Sequence, residues 1–249
     1  MNSDEKKLSV LGHLAEFRKR LIKSIIAVAI TSTLSFIFYK QIFEILTSRT
    51  QNINLIYIEM TEMIGAIMRV CLVSGIMLAM PYLTYQLIMF VSPALTGKEK
   101  RYVYLILPWI ALMFAAGVTF AYFILIPRIT EFLITFGSDI ATPQIKIGNY
   151  ISIVARLLLS VGLVFEMPVV TTFLSRLGVL KPKWLADKRR VAIILAFILA
   201  AMITPTIDPI NQSLVAVPLV ALYEMSIWLA KLVYKKEPAV EVPISSPTS

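Results

Sequence analysis

The sequence predicts an all-α integral membrane protein of six transmembrane helices, and three observations carry that prediction. Of its 249 residues, 58% are hydrophobic and 16% charged, with a mean hydropathy of +0.79; a soluble domain carries about 25% charged residues. The apolar residues gather into runs near the ~20 residues a helix needs to cross ~30 Å of hydrocarbon. Between the runs, 18 of the 24 Lys and Arg fall on one side and four on the other, with Arg69 and Arg156 inside helices. Cytoplasmic loops collect Lys and Arg. Both termini are therefore placed in the cytoplasm, and residues 1–236 read as one polytopic domain.

Residues 4–23, DEKKLSVLGHLAEFRKRLIK, put Val10, Leu11, Leu14, Phe17 and Leu21 on one helical stripe, with the charges opposite. That pattern predicts an amphipathic helix lying on the cytoplasmic surface and feeding the first span. The first span, 21–39, exceeds the ~7–15 residue core of a signal peptide and has no small-x-small exit before Lys40, so it reads as retained. The next spans are 65–92, 102–126 and 150–174. The second contains Pro81, and Pro93 follows it, which should kink or end the helix. The last two, 191–206 and 211–230, look short. The uncharged part of the first of them, 191–204, reaches only about 21 Å. Its partner meets Pro218 and Glu224 before Lys231, and the link TPTIDPINQ carries Asp208 at its tip. A hairpin this short must sink its outer loop or thin the bilayer locally. The tail 237–249, EPAVEVPISSPTS, is expected to be disordered.

Little here suggests an enzyme. One histidine (His13) and one cysteine (Cys71) cannot build a zinc site, and no protease, hydrolase or phosphate-loop motif occurs. No catalytic residue, metal or cofactor is expected. The net charge of +9 follows from topology, since the basic residues form no single face for nucleic acid.

The acidic residues say more. In SVGLVFEMPVV, Glu166 sits in an apolar run two residues before Pro168. A charge at mid-bilayer costs about 2.5–3.5 kcal/mol on insertion scales. Arg156 lies ten residues away, ~15 Å along a helix, too far to pair. Glu166 must face water, another helix or a partner protein. Glu16 has two readings, an i,i+4 pair with Arg20 or a ligand acceptor. Glu99, in PALTGKEKR, is either a solvated turn residue or a second acceptor. Two carboxylates on one face could each take a guanidinium in bidentate geometry, which suits a ligand carrying two arginines. The rival reading is a proton-coupled secondary transporter using Glu166. Against it, no internal repeat and no paired broken helices are found.

Six ordered motifs carry a family resemblance. They are His13, Leu14, Glu16, Arg18, Arg20 and Leu21 (HLxELRxRL); Phe90, Pro93, Ala94, Leu95 and Glu99 (FxxPALYxxE); Phe120, Ala121, Tyr122, Phe123 and Pro127 (FAYFxxxP); Phe165, Glu166 and Pro168; Thr204, Pro205, Asp208, Pro209 and Gln212 (TPTxDPxxQ); and Leu222, Tyr223 and Glu224. Over about residues 11–235 the sequence resembles the TatC family, the polytopic core of the twin-arginine protein translocase. Phe17 and Thr96 depart from the usual leucine and tyrosine, and the loop 41–60 lacks a proline common there.

The resemblance implies a concave, glove-like bundle in the bacterial cytoplasmic (inner) membrane. Its expected ligand is the twin-arginine signal peptide of folded precursors, held by Glu16 and Glu99, with Arg18 and Arg20 positioning the surface helix. Glu166 would line the concave face toward the single-span partners TatA and TatB. Met202, Thr204 and Gln212 would dock those partners at the outer ends of the last helices. Pro93, Phe120, Tyr122, Pro168, Asp208 and Glu224 are the remaining motif positions of structural or functional weight. Export would be driven by the proton-motive force, the chain acting in an oligomer with its partners, in contact with membrane lipid.

Overall fold

The structure, a computed structural model, describes residues 3–48, 55–91, 97–136, 144–204 and 208–234; of residues 3–11, 13, 91 and 97–105 it describes the backbone alone. The tail 237–249 therefore lies outside the described residues. The chain is helical nearly throughout. Helix α1 (Ser3–Ile37) runs 35 residues, about 52 Å, without interruption. This corrects the expected division into a surface helix and a span starting at residue 21. Between residues 14 and 37 the sequence has neither Gly nor Pro, and nothing else there breaks the hydrogen-bond ladder. The apolar part of α1 is Leu14–Ile37.

At the far end of α1, Phe38 leaves helical geometry (φ −103°, ψ 19°) and the short α2 (Tyr39–Thr47) follows. Two tyrosine hydroxyls from other helices pin its last turn: Tyr122 donates to the Ile45 carbonyl at 2.7 Å and Tyr150 to that of Leu46 at 2.9 Å. A two-residue strand β1 (Leu55–Ile56) pairs in parallel with β2 (Ile145–Lys146). Beside this pair, the Glu62 carboxylate accepts the backbone N–H of Ile58 and of Gly148, each at 3.0 Å. These bonds tie the far end of the bundle together.

Helix α3 (Glu62–Val91) passes through Pro81 intact, against the expectation of an end or kink there as far as helical continuity goes. In an apolar medium the backbone has no better option than to stay helical around a proline. Helix α4 (Gly97–Phe120) continues through a π turn (Ala121–Leu125) into α5 (Ile126–Thr135), so the span expected over 102–126 extends further. The wider turn lies just ahead of Pro127, whose ring would otherwise press on the carbonyl four residues back. It also keeps Ala121 and Ile126, five positions apart, in the core at 0% and 1% exposure.

Helix α6 (Ile147–Phe165) ends at Glu166, and α7 (Met167–Arg176) restarts with Pro168 in its first turn. The missing N–H of Pro168 interrupts the ladder, which is why the break falls there. After α8 (Pro182–Asp187) come α9 (Arg189–Ile203) and α10 (Pro209–Val233). Helix α9 has 15 residues, about 22 Å. Its partner is not short: α10 runs 25 residues through Pro218, correcting the expectation for the last helix. Among the described residues, five helical stretches are long and apolar enough to cross a membrane: Leu14–Ile37, Glu62–Phe90, Ile106–Thr135, Ile147–Arg176 and Pro209–Val233.

The core centres on α6, whose Ile151, Val154, Leu157 and Val161 are at most 1% exposed and which packs on α3, α4, α9 and α10. Lipid offers apolar side chains no less apolar surface than a neighbouring helix does, so tight packing at small residues holds such bundles. Between α4 and α6, a Cβ on Gly117 would fall 2.7 Å from the Phe165 Cβ and 3.0 Å from the Gly162 Cα. Between α1 and α3, a Cβ on Gly75 would fall 2.5 Å from the Ser32 Cα, and the Thr31 hydroxyl donates to the Gly75 carbonyl at 2.7 Å. Helix α1 leans mainly on α3 and leaves most of its apolar side chains exposed.

Candidate functional site

The close α1–α3 approach at Gly75 opens toward the end of the bundle that carries the N-terminus. There Phe17 of α1 meets Phe90 of α3, ring centroids 5.3 Å apart. One turn along α1, Arg20 bonds the Glu16 carboxylate twice through one oxygen: Nε to Oε1 at 3.0 Å and Nη2 to Oε1 at 2.5 Å. Its third nitrogen, Nη1, donates to Oε1 of Gln86 on α3 at 3.1 Å, and the Gln86 amide donates onward to the Tyr82 hydroxyl at 2.6 Å. Glu16 keeps 33% of its side chain exposed and Arg20 20%. Lys19 and Lys23 share the rim with them, and Arg18 is exposed on the same turn.

Inward from Arg20, α1, α3 and α6–α7 enclose a groove of about 550 Å³ lined mostly by Phe17, Leu21, Met80, Leu83, Leu87, Leu163 and Met167. Thr84 and Glu166 line it as well. Glu166, at the α6–α7 break, is only 3% exposed. The Thr84 hydroxyl donates to its Oε2, while its Oε1 has no hydrogen-bond partner among the described residues. Of the three environments open to it, Glu166 thus meets another helix. Arg156 stands apart and exposed.

The remaining predicted residues divide into two groups. At the tip of the α9–α10 hairpin, Asp208 caps α10 by accepting the N–H of Ile210 at 3.2 Å and of Asn211 at 2.8 Å. Gln212 donates to the Phe197 carbonyl of α9 at 3.0 Å, and the buried Thr204 hydroxyl donates to its own helix at Ala200, 2.9 Å. Met202, 68% exposed, is the outward-facing member. At the other end of this hairpin, Arg189 donates to Glu224 at 2.8 Å. Phe120 packs on Phe165 with ring centroids 5.7 Å apart, joining α4 to the α6 terminus beside Glu166. Tyr122, aimed by the π turn, reaches α2 and also lies 3.0 Å from the Ser48 hydroxyl. Pro168 is buried at the break. Pro93 lies outside the described residues; Glu99 falls in the first turn of α4, with its side chain outside them.

Sequence reasoning missed Thr84, Gln86 and Tyr82. Each is a polar residue inside an apolar span, and the i,i+4 spacing of Tyr82 and Gln86 was the signal available. Among the described residues, no group of three His, Cys, Asp or Glu forms a metal site.

Comparison with known proteins bears on the whole chain. The family model described as "Sec-independent protein translocase protein (TatC)" matches residues 12–218. Relatives of that name include one from Carboxydothermus hydrogenoformans, 37% identical over 94% of this chain and 97% of its own length, and one from Aquifex aeolicus, 39% identical over 92% and 97%. A crystal structure of a twin-arginine translocase receptor, TatC, superposes with a TM-score of 0.78 at 40% identity, covering 89% of this chain and 99% of the other. Family model, near full-length relatives and solved fold agree: the chain belongs to the TatC family, a multi-pass receptor subunit of the twin-arginine translocase and not an enzyme.

Proposed function

We propose that the chain receives the twin-arginine signal of folded precursors on the cytoplasmic face of the bacterial inner membrane, with Glu16 and Glu99 as the two guanidinium acceptors. The observation that supports this most is the place of Glu16. Its carboxylate is partly exposed beside Arg20, which lines an apolar groove, and one of its oxygens already accepts two N–H groups of an arginine. A signal peptide offers the same pair of features, adjacent arginines followed by an apolar stretch that the groove would take. Planar guanidinium recognition explains why lysine would substitute poorly. The Phe17–Phe90 contact brings the Glu16 turn next to the chain leading to Glu99.

In this reading α9 is a sixth, short span, both termini are cytoplasmic, and the bundle presents a concave face to TatA and TatB. Glu166 serves partner coupling on that face. At the α9–α10 tip, Met202 makes the contact while Thr204 and Gln212 hold the hairpin that presents it. The short α9 thins the bilayer beside it, and the proton-motive force drives export. Spin labels along α9 should report shallow lipid depth; a bilayer of ordinary depth there rejects the thinning.

The experiment that tests the receptor is photocrosslinking next to Glu99, in native-like membranes, to signal peptides bearing Arg-Arg or Lys-Lys. A crosslink with Arg-Arg that Lys-Lys largely abolishes is expected. Equal labelling by both would overturn it.

A further inference from the structure

In the described structure the Glu16 carboxylate is not vacant: Arg20 already holds it, with two bonds converging on Oε1. An incoming guanidinium must therefore share the carboxylate or displace Arg20. Displacement would strand a side chain that is four-fifths buried at the edge of an apolar groove unless a second acceptor kept hold of it. One does. Gln86, only 6% exposed, points its carbonyl oxygen at Arg20 Nη1 from the neighbouring helix. Its amide nitrogen is occupied by Tyr82 OH, one turn back on α3, which holds the amide in that orientation.

We propose that Arg20 is an internal stand-in for the ligand and that Gln86 is the positioning residue that makes the exchange reversible. In the ligand-free receptor Arg20 bonds Glu16 and Gln86 at once; when a signal arginine takes the carboxylate, Arg20 lets go of Glu16 and keeps its bond to Gln86. The choice of a neutral amide matters. A carboxylate at residue 86 would hold Arg20 permanently, while an apolar side chain would leave it nowhere to go, because breaking a charged hydrogen bond in a buried setting is opposed strongly. The inference rests on the reading that Glu16 receives a signal arginine, and it adds a residue on α3 that sets the strength of that event.

The test uses the full-length chain in vesicles of phosphatidylethanolamine and phosphatidylglycerol, with a fluorescent Arg-Arg signal peptide as probe. Gln86→Leu should weaken binding by about tenfold, because Arg20 released from Glu16 would then have no remaining bond from this pair of acceptors to hold it. Gln86→Glu should tighten it by at least about threefold, since Arg20 is drawn away and Glu16 is left open. Tyr82→Phe, which keeps the ring and removes only the anchor, should weaken binding less than Gln86→Leu does. A merely structural Gln86 would lower binding in both residue-86 variants; two changes of the same sign, or none, overturn the exchange. Glu16→Gln run alongside separates the two failures. If it leaves binding at the wild-type level, the receptor reading of Glu16 falls and the exchange with it. If it abolishes binding while the residue-86 variants do not diverge, only the exchange falls.

Discussion

Glu16, tied to Arg20 at the rim, and Glu166, in the lining of the groove that Arg20 also lines, solve opposite problems. Glu16 sits at the rim with a third of its side chain exposed and a full counter-charge on Arg20. Glu166 is 3% exposed and meets a hydroxyl, with one oxygen left unpartnered among the described residues. A rim carboxylate can trade partners where its cation has a second acceptor to hold it, as Arg20 has in Gln86. An interior carboxylate with one neutral donor has nothing to trade and gains from any polar group brought to it. On the proposed reading, the same residue type serves as a receptor at one depth and a docking point at another. Burial and the identity of the first partner decide which.

Four changes would break or sharpen that contrast, taken from the largest expected effect down. Replacing both Glu16 and Glu99 by Gln removes two charge-assisted acceptors, at roughly 1.5–3 kcal/mol each, so signal-peptide affinity should fall about a hundredfold or more. Undiminished crosslinking in this double variant would end the rim assignment. Glu166→Ala should lower transport by about tenfold through lost partner coupling while signal binding stays within about twofold, as for a polar group serving a site within the membrane. If TatA and TatB crosslinks persist at full strength, the interior carboxylate has no docking role. Thr84→Val deprives Glu166 of its donor and should destabilise the protein by about 1–3 kcal/mol, read as a lower unfolding midpoint in detergent. The same change combined with Glu166→Leu should cost less than the single change, and equal costs would mean Thr84 supports the fold independently. Asp208→Ala removes a helix cap far from both carboxylates and should cost only about 1 kcal/mol. Hydrogen exchange at the Ile210 and Asn211 amides should rise, and unchanged protection would show the cap to be dispensable.

Five of the six expected spans were legible because a helix that must satisfy its own backbone in lipid leaves a long apolar run in sequence. Their joints were less so. Periodicity revealed a stripe over residues 4–23 but carries no information on whether a helix bends where a stripe becomes a span, and α1 does not break. Pro81 was expected to kink or end its helix, and the helix goes on through it, as the last helix does through Pro218. At Pro168, by contrast, the helix does break, beside the one carboxylate the α6–α7 segment has to accommodate. At the site, Glu16–Arg20 followed from i,i+4 geometry. The roles of Gln86 and Thr84 did not, because their partners lie 66 and 82 residues away in the chain. Short-range spacing cannot disclose contacts that only helix packing creates.

The π turn at Ala121–Leu125 has a consequence for how this chain tolerates length changes. Its closing bond runs from the Ile126 N–H to the Ala121 carbonyl, a step of five where an α-helix takes four. The segment therefore carries one residue more than a regular helix would need. Deleting a residue in most of a long helix rotates everything beyond it by about 100° and exchanges its buried and exposed faces. Within this turn the same deletion would restore the four-residue step and leave Ile126 and Ile129 facing inward, with the loss falling on the reach of Tyr122 toward α2 and on the room the wider turn gives the Pro127 ring.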